Sequence, residues 1–308
     1  MQITWPDGKR FAFSVFDDTD LATLANVGPV YAFLAERGMR TTKSVWPIAG
    51  PGAPILGGDT CENEAYLRWL LGLQEQGFEI GLHCVTYHTS TREEVLRGLD
   101  AFRRSFHGDP RTFTNHSETL ESIYWNAARL SGIHALLFKL LTGFEGKKQS
   151  QGHVEGNPHF WGDLCKERVK YVRNFVFRGV NTLQSCPFMP YHDPARPYVN
   201  YWFASSEGAN CRTFNQTISE ENQDLLEEEG GACIMYTHFA AGFAEDGRLD
   251  PRFQQLVERL TRKNGWFVPV ADLLDHILAT RGHHELTPSE RMRLERRWLL
   301  HKIRTGRT

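Results

Sequence analysis

The sequence predicts an α/β protein built on a mainly parallel sheet or barrel. Apolar runs with the length of buried strands alternate with amphipathic segments of helical length along most of the chain, and repeated strand–helix units favour parallel strands. The chain has 308 residues, of which 41% are hydrophobic. A chain of this size can bury one large core or two modest ones.

The first half of the chain alternates strand and helix in a regular order. Short apolar runs predict strands at residues 11–16, 41–47, 78–82 and 111–115. Longer segments predict helices at residues 21–37, 64–76, 91–106 and 118–130. Gly38, Gly77 and Gly108 follow the first three of these helices, and a glycine in this position is a common helix stop.

The second half loses this regularity before it resumes. Residues 143–216 are rich in aromatic residues, proline and glycine without clear periodicity, so we expect an irregular insertion that serves as a binding loop. The remaining pattern predicts a helix at 219–229, a strand at 232–237, a helix at 250–264 and an apolar run at 266–270 that leads into a further helix.

Composition restricts the class of function. The chain has 35 basic and 37 acidic residues, so its net charge of −2 provides no field that would attract nucleic acid. The first residues lack the features of a signal peptide, and charged residues interrupt every apolar run, so a cytoplasmic protein is expected. The six cysteines contain no CxxC pair and are expected to be free thiols.

Polar residues stand at the ends of two predicted strands. Asp17 and Asp18 end the first strand, and His83 and His88 follow the third. Open parallel sheets and barrels place their chemistry at the carboxyl ends of the strands. Carboxylates and imidazoles together suit zinc or another first-row divalent ion with an open position for water. One aspartate would then bind the metal, and the other would move protons.

The same residues resemble motifs of the polysaccharide deacetylases of the NodB-homology, carbohydrate esterase 4-like type. The resemblance covers residues 10–280 in element order and includes the Phe-Asp-Asp strand end, the histidine pair, a late strand that ends in His238 and the closing segment 265–274. It implies a distorted seven-stranded (β/α) barrel over residues 1–282. It also implies metal-dependent removal of an acyl group from an amino sugar.

The resemblance assigns roles to individual residues. Asp17 corresponds to the catalytic base and His238 to the general acid. The metal triad corresponds to Asp18, His83 and His88, with zinc as the expected ion.

A third motif of the family departs from its pattern in this chain. The family has an Arg-Pro-Pro strand end, whereas Thr114-Asn115-His116 stands in that place here. We therefore expect either Arg111 to reach the base from a neighbouring position or Asn115 and His116 to supply a different support. His116 is expected to face the metal centre, where it contacts the substrate or a fourth coordination position.

Two further segments suggest binding surfaces. In the insertion, Trp161, Tyr191 and His192 could contact a sugar ring, or the aromatic residues could simply cover a barrel face. Arg173, Arg178 and Arg196 could hold the phosphate of a nucleotide- or lipid-linked sugar.

The C-terminal residues 283–308 predict a basic amphipathic helix. From Thr287 onward there are seven lysines and arginines against two glutamates, with apolar residues between them. Such a helix can lie on an anionic membrane surface or dock on a partner protein. Packing of the helix on its own barrel would explain the pattern equally well.

These observations together predict an N-deacetylase that acts on an amino sugar, free or carrier-linked, in surface-glycan synthesis. Two alternatives stay open. Related barrels also host glycoside hydrolases, which would release reducing sugar rather than acetate or formate. The altered third motif would also be consistent with a catalytically silent carbohydrate-binding protein.

Overall fold

A closed barrel of seven parallel strands forms the centre of the computed structural model, which describes residues 3–54, 57–117, 119–142 and 150–305. The barrel strands are β1 (Phe11–Asp17), β2 (Thr42–Val45), β3 (Glu79–His83), β4 (Thr112–Thr114), β5 (Tyr171–Phe177), β6 (Tyr201–Glu207) and β7 (Ala232–Thr237). They are hydrogen-bonded in chain order, and pairing of β1 with β7 closes the ring. The seven-stranded (β/α) barrel expected from the sequence is confirmed.

Strand β1 lies at the point of closure and has three neighbours. Its residues 12–17 pair with β7, in the register Phe13 opposite Cys233. On its other edge, the first residues pair with β10 (Gly265–Phe267) and the last two pair with β2. A short antiparallel ladder of β8 (Ala244–Glu245) and β9 (Arg248–Leu249) stands apart from the barrel.

Helices connect the strands and cover the barrel. They are α1 (Leu24–Glu36), α2 (Glu64–Glu75), α3 (Arg92–Phe106), α4 (Gly132–Leu141), α5 (Gly162–Arg168), α6 (Thr182–Ser185), α7 (Cys211–Thr217), α8 (Glu220–Glu229), α9 (Pro251–Thr261), α10 (Val270–Arg281) and α11 (Pro288–Thr305). Helix α3 shows why the sequence pattern predicted a helix there. Its start is a capping box between Thr91 and Glu94, and its apolar face is buried.

Two parts of the chain differ from the sequence prediction. Within residues 119–130 there is no α-helix, only a single 3₁₀ turn at Asn126–Arg129, and residue 118 lies outside the described residues. The predicted insertion contributes β5 and β6 to the barrel, while its residues 143–149 lie outside the described part. Strand β5 escaped recognition because Arg173 and Asn174 interrupt its apolar run, although both side chains are buried.

The C-terminal helix α11 packs on the barrel by one side. Leu294, Trp298 and Leu299 are buried, and the Trp298 ring lies 5.6 Å from Phe138 and 5.3 Å from Phe175. No helix among the described residues has the length and apolar character that crossing a membrane requires. All six cysteines are buried free thiols, as expected.

Candidate metal centre

Four side chains converge where the barrel strands end. Asp20 lies three residues beyond β1, His83 is the last residue of β3, His116 lies two residues beyond β4, and His238 directly follows β7. Because all the barrel strands run parallel, their carboxyl ends share one mouth of the barrel. The side chains of Asp20 and His238 keep 15% and 18% of their surface exposed, so solvent reaches the group there.

The Asp20 carboxylate stands at the centre of this group. Its Oδ1 lies 3.1 Å from Nε2 of His116, and its Oδ2 lies 3.5 Å from Nε2 of His83. The ligand atoms of these three residues all lie within 4.8 Å of one another. Tetrahedral ligands at the usual zinc distances are spaced about 3.4 Å apart. The spacing of this triad therefore suits one divalent ion with a free position for water or substrate.

The hydrogen-bonding state of the triad supports the same conclusion. Oδ1 of Asp20 and Nε2 of His83 are buried and make no hydrogen bond of acceptable geometry with the described residues. Buried polar atoms are almost always satisfied, and an unpaired cluster of this kind indicates an ion or water. A mixed carboxylate and imidazole set of three ligands is typical of catalytic zinc and related ions. Asp20, His83 and His116 therefore could hold a metal ion.

Thr114 determines which nitrogen of His83 faces Asp20. The Thr114 hydroxyl donates to Oδ1 of Asp18 at 3.3 Å and lies 2.7 Å from Nδ1 of His83. Because the hydroxyl proton is directed to Asp18, the hydroxyl oxygen accepts a hydrogen bond from Nδ1–H of His83. His83 then presents the lone pair of Nε2 to the Asp20 side, as a metal ligand must.

His238 lies on the other side of Asp20. Its Nδ1 donates to the carbonyl oxygen of Ala209 at 2.8 Å, and its Nε2 lies 3.2 Å from Oδ2 of Asp20. Burial alone lowers the pKa of His238, but the hydrogen bond to Asp20 and the charges of Asp18 and Asp20 outweigh it and raise the pKa to about 9. His238 can therefore hold a proton at Nε2 beside the triad.

The ionisation state of Asp20 is consistent with a role as a metal ligand. Burial opposes ionisation of the carboxyl group, but the electrostatic interaction with His83 and the imidazole nitrogens of His116 and His238, 3.1 and 3.2 Å from its two oxygens, hold its pKa far below the ordinary value. Asp20 is consequently an anion at any physiological pH, which is the form that binds a cation.

Asp18, the expected metal ligand, is paired with an arginine. Its two oxygens accept from the guanidinium of Arg173 at 2.9 and 2.5 Å, and both side chains are almost fully buried. Burial would raise the pKa of Asp18, but the charge of Arg173 brings it below the ordinary value. Asp18 thus lies behind the triad, and Thr114 links it to His83 by hydrogen bonds.

Asp17, the expected base, is enclosed in the barrel wall. Its Oδ2 forms an ion pair with Nζ of Lys43 at 3.0 Å and accepts from the Tyr31 hydroxyl at 3.0 Å, and its Oδ1 accepts from the backbone N–H of Phe239 at 2.7 Å. The side chain has no exposed surface, and burial raises its pKa although Lys43 opposes this. The bond to Phe239 fixes the chain immediately after His238.

The structure separates the other expected residues from this group. His88 Nε2 lies 3.1 Å from the carbonyl oxygen of Gly52. Arg111 precedes β4 at the opposite mouth of the barrel, where it binds Asp272 and Asp275. Asn115 holds the loop after β4, because its amide bonds both the N–H and the carbonyl of Ile123.

The expected sugar contacts lie within the packed part of the protein. Trp161 is buried and donates to the carbonyl oxygen of Glu121, and Tyr191 is buried beside Asn174. His192 lies 3.1 Å from the carbonyl oxygen of Val199. These contacts correspond to the covering of a barrel face, one of the two readings of the aromatic segment.

Two of the arginines that could hold a phosphate, Arg173 and Arg196, are paired with carboxylates of the protein. Arg196 binds Asp193 and Glu295, and Arg173 binds Asp18. Sequence reasoning did not identify Asp20, Thr114 or the pairing of Arg173. The one available signal was the third carboxylate in Asp17-Asp18-Thr19-Asp20, two residues after the pair.

Comparison with known proteins shows a likeness at the level of structure. No protein-family model and no curated protein matches the chain. A putative polysaccharide deacetylase from Mycobacterium smegmatis has a similar structure, with a TM-score of 0.54 and 12% identity over 93% of this chain and 96% of that chain. At this identity the likeness concerns the fold alone, and the expected deacetylase-type fold is confirmed.

Two other solved structures are more distantly similar. The peptidoglycan deacetylase PdaC from Bacillus subtilis has a TM-score of 0.42 and 14% identity over 96% of this chain and 99% of that chain. A GH57-type branching enzyme from Pyrococcus horikoshii has a TM-score of 0.43 and 10% identity over 90% of this chain and 72% of that chain.

Proposed function

We propose that this protein is a metal-dependent hydrolase that removes an N-acyl group, such as acetyl, from an amino sugar. The observation that carries the proposal is the convergence of Asp20, His83 and His116 at the open mouth of the barrel, with His238 beside them. In this assignment Asp20 and His116 take the positions that the sequence assigned to Asp18 and His88. The deacetylase-type fold is consistent with the same chemistry.

The metal ion, with zinc as the best match to the ligand set, would supply Lewis-acid polarisation of the amide carbonyl and an activated water. The protein's own residues provide the remaining functions. His238 holds a proton at Nε2, next to the triad, and can donate it to the departing amine. This donation is necessary because an amide anion is a very poor leaving group.

The residues behind the triad position its members. The Asp18–Arg173 pair orients Thr114, and Thr114 orients His83. Asp17 holds the backbone of Phe239 and thereby the loop that carries His238. We infer that these residues act on the reaction through the geometry of the triad and of His238.

The donor set favours deacylation over the two alternatives. Glycoside hydrolysis requires a pair of carboxyl groups facing the substrate. Asp17 and Asp18 are engaged in buried ion pairs, which leaves Asp20 as the carboxylate among three imidazoles. A silent binding protein would have no need of a proton donor beside a metal triad. The substrate is proposed to be an amino sugar of surface-glycan synthesis, free or carrier-linked.

Two measurements test the proposal. Metal content after dialysis should be close to one divalent ion per chain and should be lost in Asp20→Asn. Exposed Asp246→Asn is the matched control and should keep the metal. The metal-loaded protein should release acetate or formate from acylated amino-sugar oligomers. Release of reducing sugar would support the glycoside hydrolase instead, and bound metal without turnover on any acylated sugar would support the binding protein.

A further inference from the structure

Helix α4 carries a row of exposed aliphatic side chains. The row consists of Ile133, Leu136, Leu137, Leu140 and Leu141, which are between 41% and 67% exposed. Spacings of three and four residues place all five on one side of the helix. A helix of a soluble protein normally turns such a row toward the core, so a solvent-facing row indicates an interaction surface.

Contacts of the partly buried residues of α4 hold the row outward. The ring of Phe138 lies 5.6 Å from Trp298 of α11, and Nδ1 of His134 lies 3.2 Å from the buried carboxylate of Glu295. Rotation of the row toward the barrel would break both contacts. The exposed orientation is therefore a consequence of the packing of α4 on α11.

The helix that packs beside α4 is basic. The one charged residue of α4 is the exposed Lys139. Helix α11 exposes four arginines, which are Arg293, Arg296, Arg297 and Arg304.

The acidic residues of α11 are engaged within the protein. Glu295 is buried against Arg196, and Glu290 is bonded to Thr287. Acidic residues concentrate elsewhere, with six in α8 alone. The pair of helices thus combines an apolar row with positive charge in a chain whose net charge is −2.

We propose that the aliphatic row of α4 and the exposed arginines of α11, together called the α4–α11 surface, bind an anionic lipid bilayer. The aliphatic side chains would enter the boundary between headgroups and acyl chains, and the arginines would contact the anionic headgroups. A second copy of the chain is a poorer occupant, because symmetric docking would bring the same arginines of both copies together. This proposal is independent of the metal centre.

Vesicle sedimentation with the full chain tests this inference. Wild-type protein should sediment with vesicles that contain phosphatidylserine, only weakly with phosphatidylcholine vesicles, and less as salt rises. The double variant Leu136→Ser/Leu140→Ser should reduce the partition coefficient about tenfold or more. Arg293→Glu/Arg296→Glu should weaken binding to phosphatidylserine vesicles while leaving the aliphatic row intact.

A matched control separates the α4–α11 surface from general loss of hydrophobicity. Leu96 and Leu225 are 42% and 43% exposed on α3 and α8, and Leu96→Ser/Leu225→Ser should bind vesicles like the wild type. Circular dichroism confirms that each variant is folded. Failure of the wild type to sediment with anionic vesicles, or unchanged binding of Leu136→Ser/Leu140→Ser, would overturn the inference. A dimer in light scattering that this variant dissociates would assign the surface to self-association instead.

Discussion

Nδ1 of His83 and the hydroxyl oxygen of Thr114 are 2.7 Å apart, and the same hydroxyl donates to Asp18. This contact links the buried Asp18–Arg173 pair to a candidate metal ligand. It also fixes the imidazole tautomer, because the hydroxyl proton points to Asp18 and the hydroxyl oxygen can then only accept a hydrogen bond from Nδ1–H. The consequences can be measured without any knowledge of the substrate.

Removal of the Thr114 hydroxyl should weaken the metal site. Thr114→Val keeps the shape of the side chain but leaves Nδ1 of His83 without its acceptor, and we expect metal affinity to fall by about 10–100-fold. Thr114→Ser keeps the hydroxyl and should retain most of the affinity. Competition with a chelator measures both values. Equal affinities for the two variants would show that Thr114 does not orient the ligand.

Asp18 and Asp20 should respond to the same substitution in different ways. Asp18→Asn leaves the buried Arg173 charge without its anion and should lower the free energy of unfolding by about 3–5 kcal/mol. Asp18→Leu/Arg173→Met removes both charges and should recover much of that loss. Asp20→Asn should abolish metal binding with a smaller effect on unfolding. Denaturation and metal analysis of the metal-free and metal-loaded variants distinguish these outcomes. Loss of metal in Asp18→Asn with retention in Asp20→Asn would support Asp18 as the ligand, as the sequence predicts.

His238 should affect turnover more than metal content. His238→Gln removes the proton donor but none of the triad, so we expect kcat to fall by roughly 10²–10⁴-fold while the metal stays bound. His276→Gln is a control at a distance from the triad, since that ring contacts the carbonyl of Thr4. A fall in metal content that parallels the fall in activity would instead make His238 a ligand.

The buried carboxyl group of Glu121 should make the stability of the fold depend on pH. Burial raises the pKa of its carboxyl group to about 7, above the ordinary 4.5 of the unfolded chain. The folded state therefore binds more protons between these values, and the contribution of Glu121 to stability is lost as pH rises from about 4.5 to 7. Glu121→Gln should stabilise the protein at pH 8 by about 3 kcal/mol at most and have little effect at pH 4.

Unfolding by urea in the presence of a chelator measures this effect without a contribution from metal binding. The exposed Glu62→Gln is the matched control and should leave the pH dependence unchanged. If Glu121→Gln destabilises the protein equally at pH 5 and pH 8, the carboxylate form of Glu121 is not the source of the pH dependence.

The sequence by itself determined the barrel and much of its mouth. Apolar runs and helical segments report burial directly, because each residue's transfer from water depends on its own side chain. The parallel arrangement predicted that polar side chains at the strand ends lie together, and the structure brings His83, His116 and His238 to one mouth of the barrel. Strand β5 was missed because buried Arg173 and Asn174 do not look apolar, and their burial depends on partners elsewhere in the chain.

Only the tertiary structure decided which carboxylate lies among the histidines. Asp17, Asp18 and Asp20 are nearly equivalent in sequence, but Lys43 from β2 neutralises the first, and Arg173 from β5 neutralises the second. Asp20 is the carboxylate left to face the imidazoles. The same holds for the choice of His116 over His88, since the turn after β3 directs His88 toward Gly52. Pairings between residues up to 222 positions apart come from barrel closure, which no local pattern encodes.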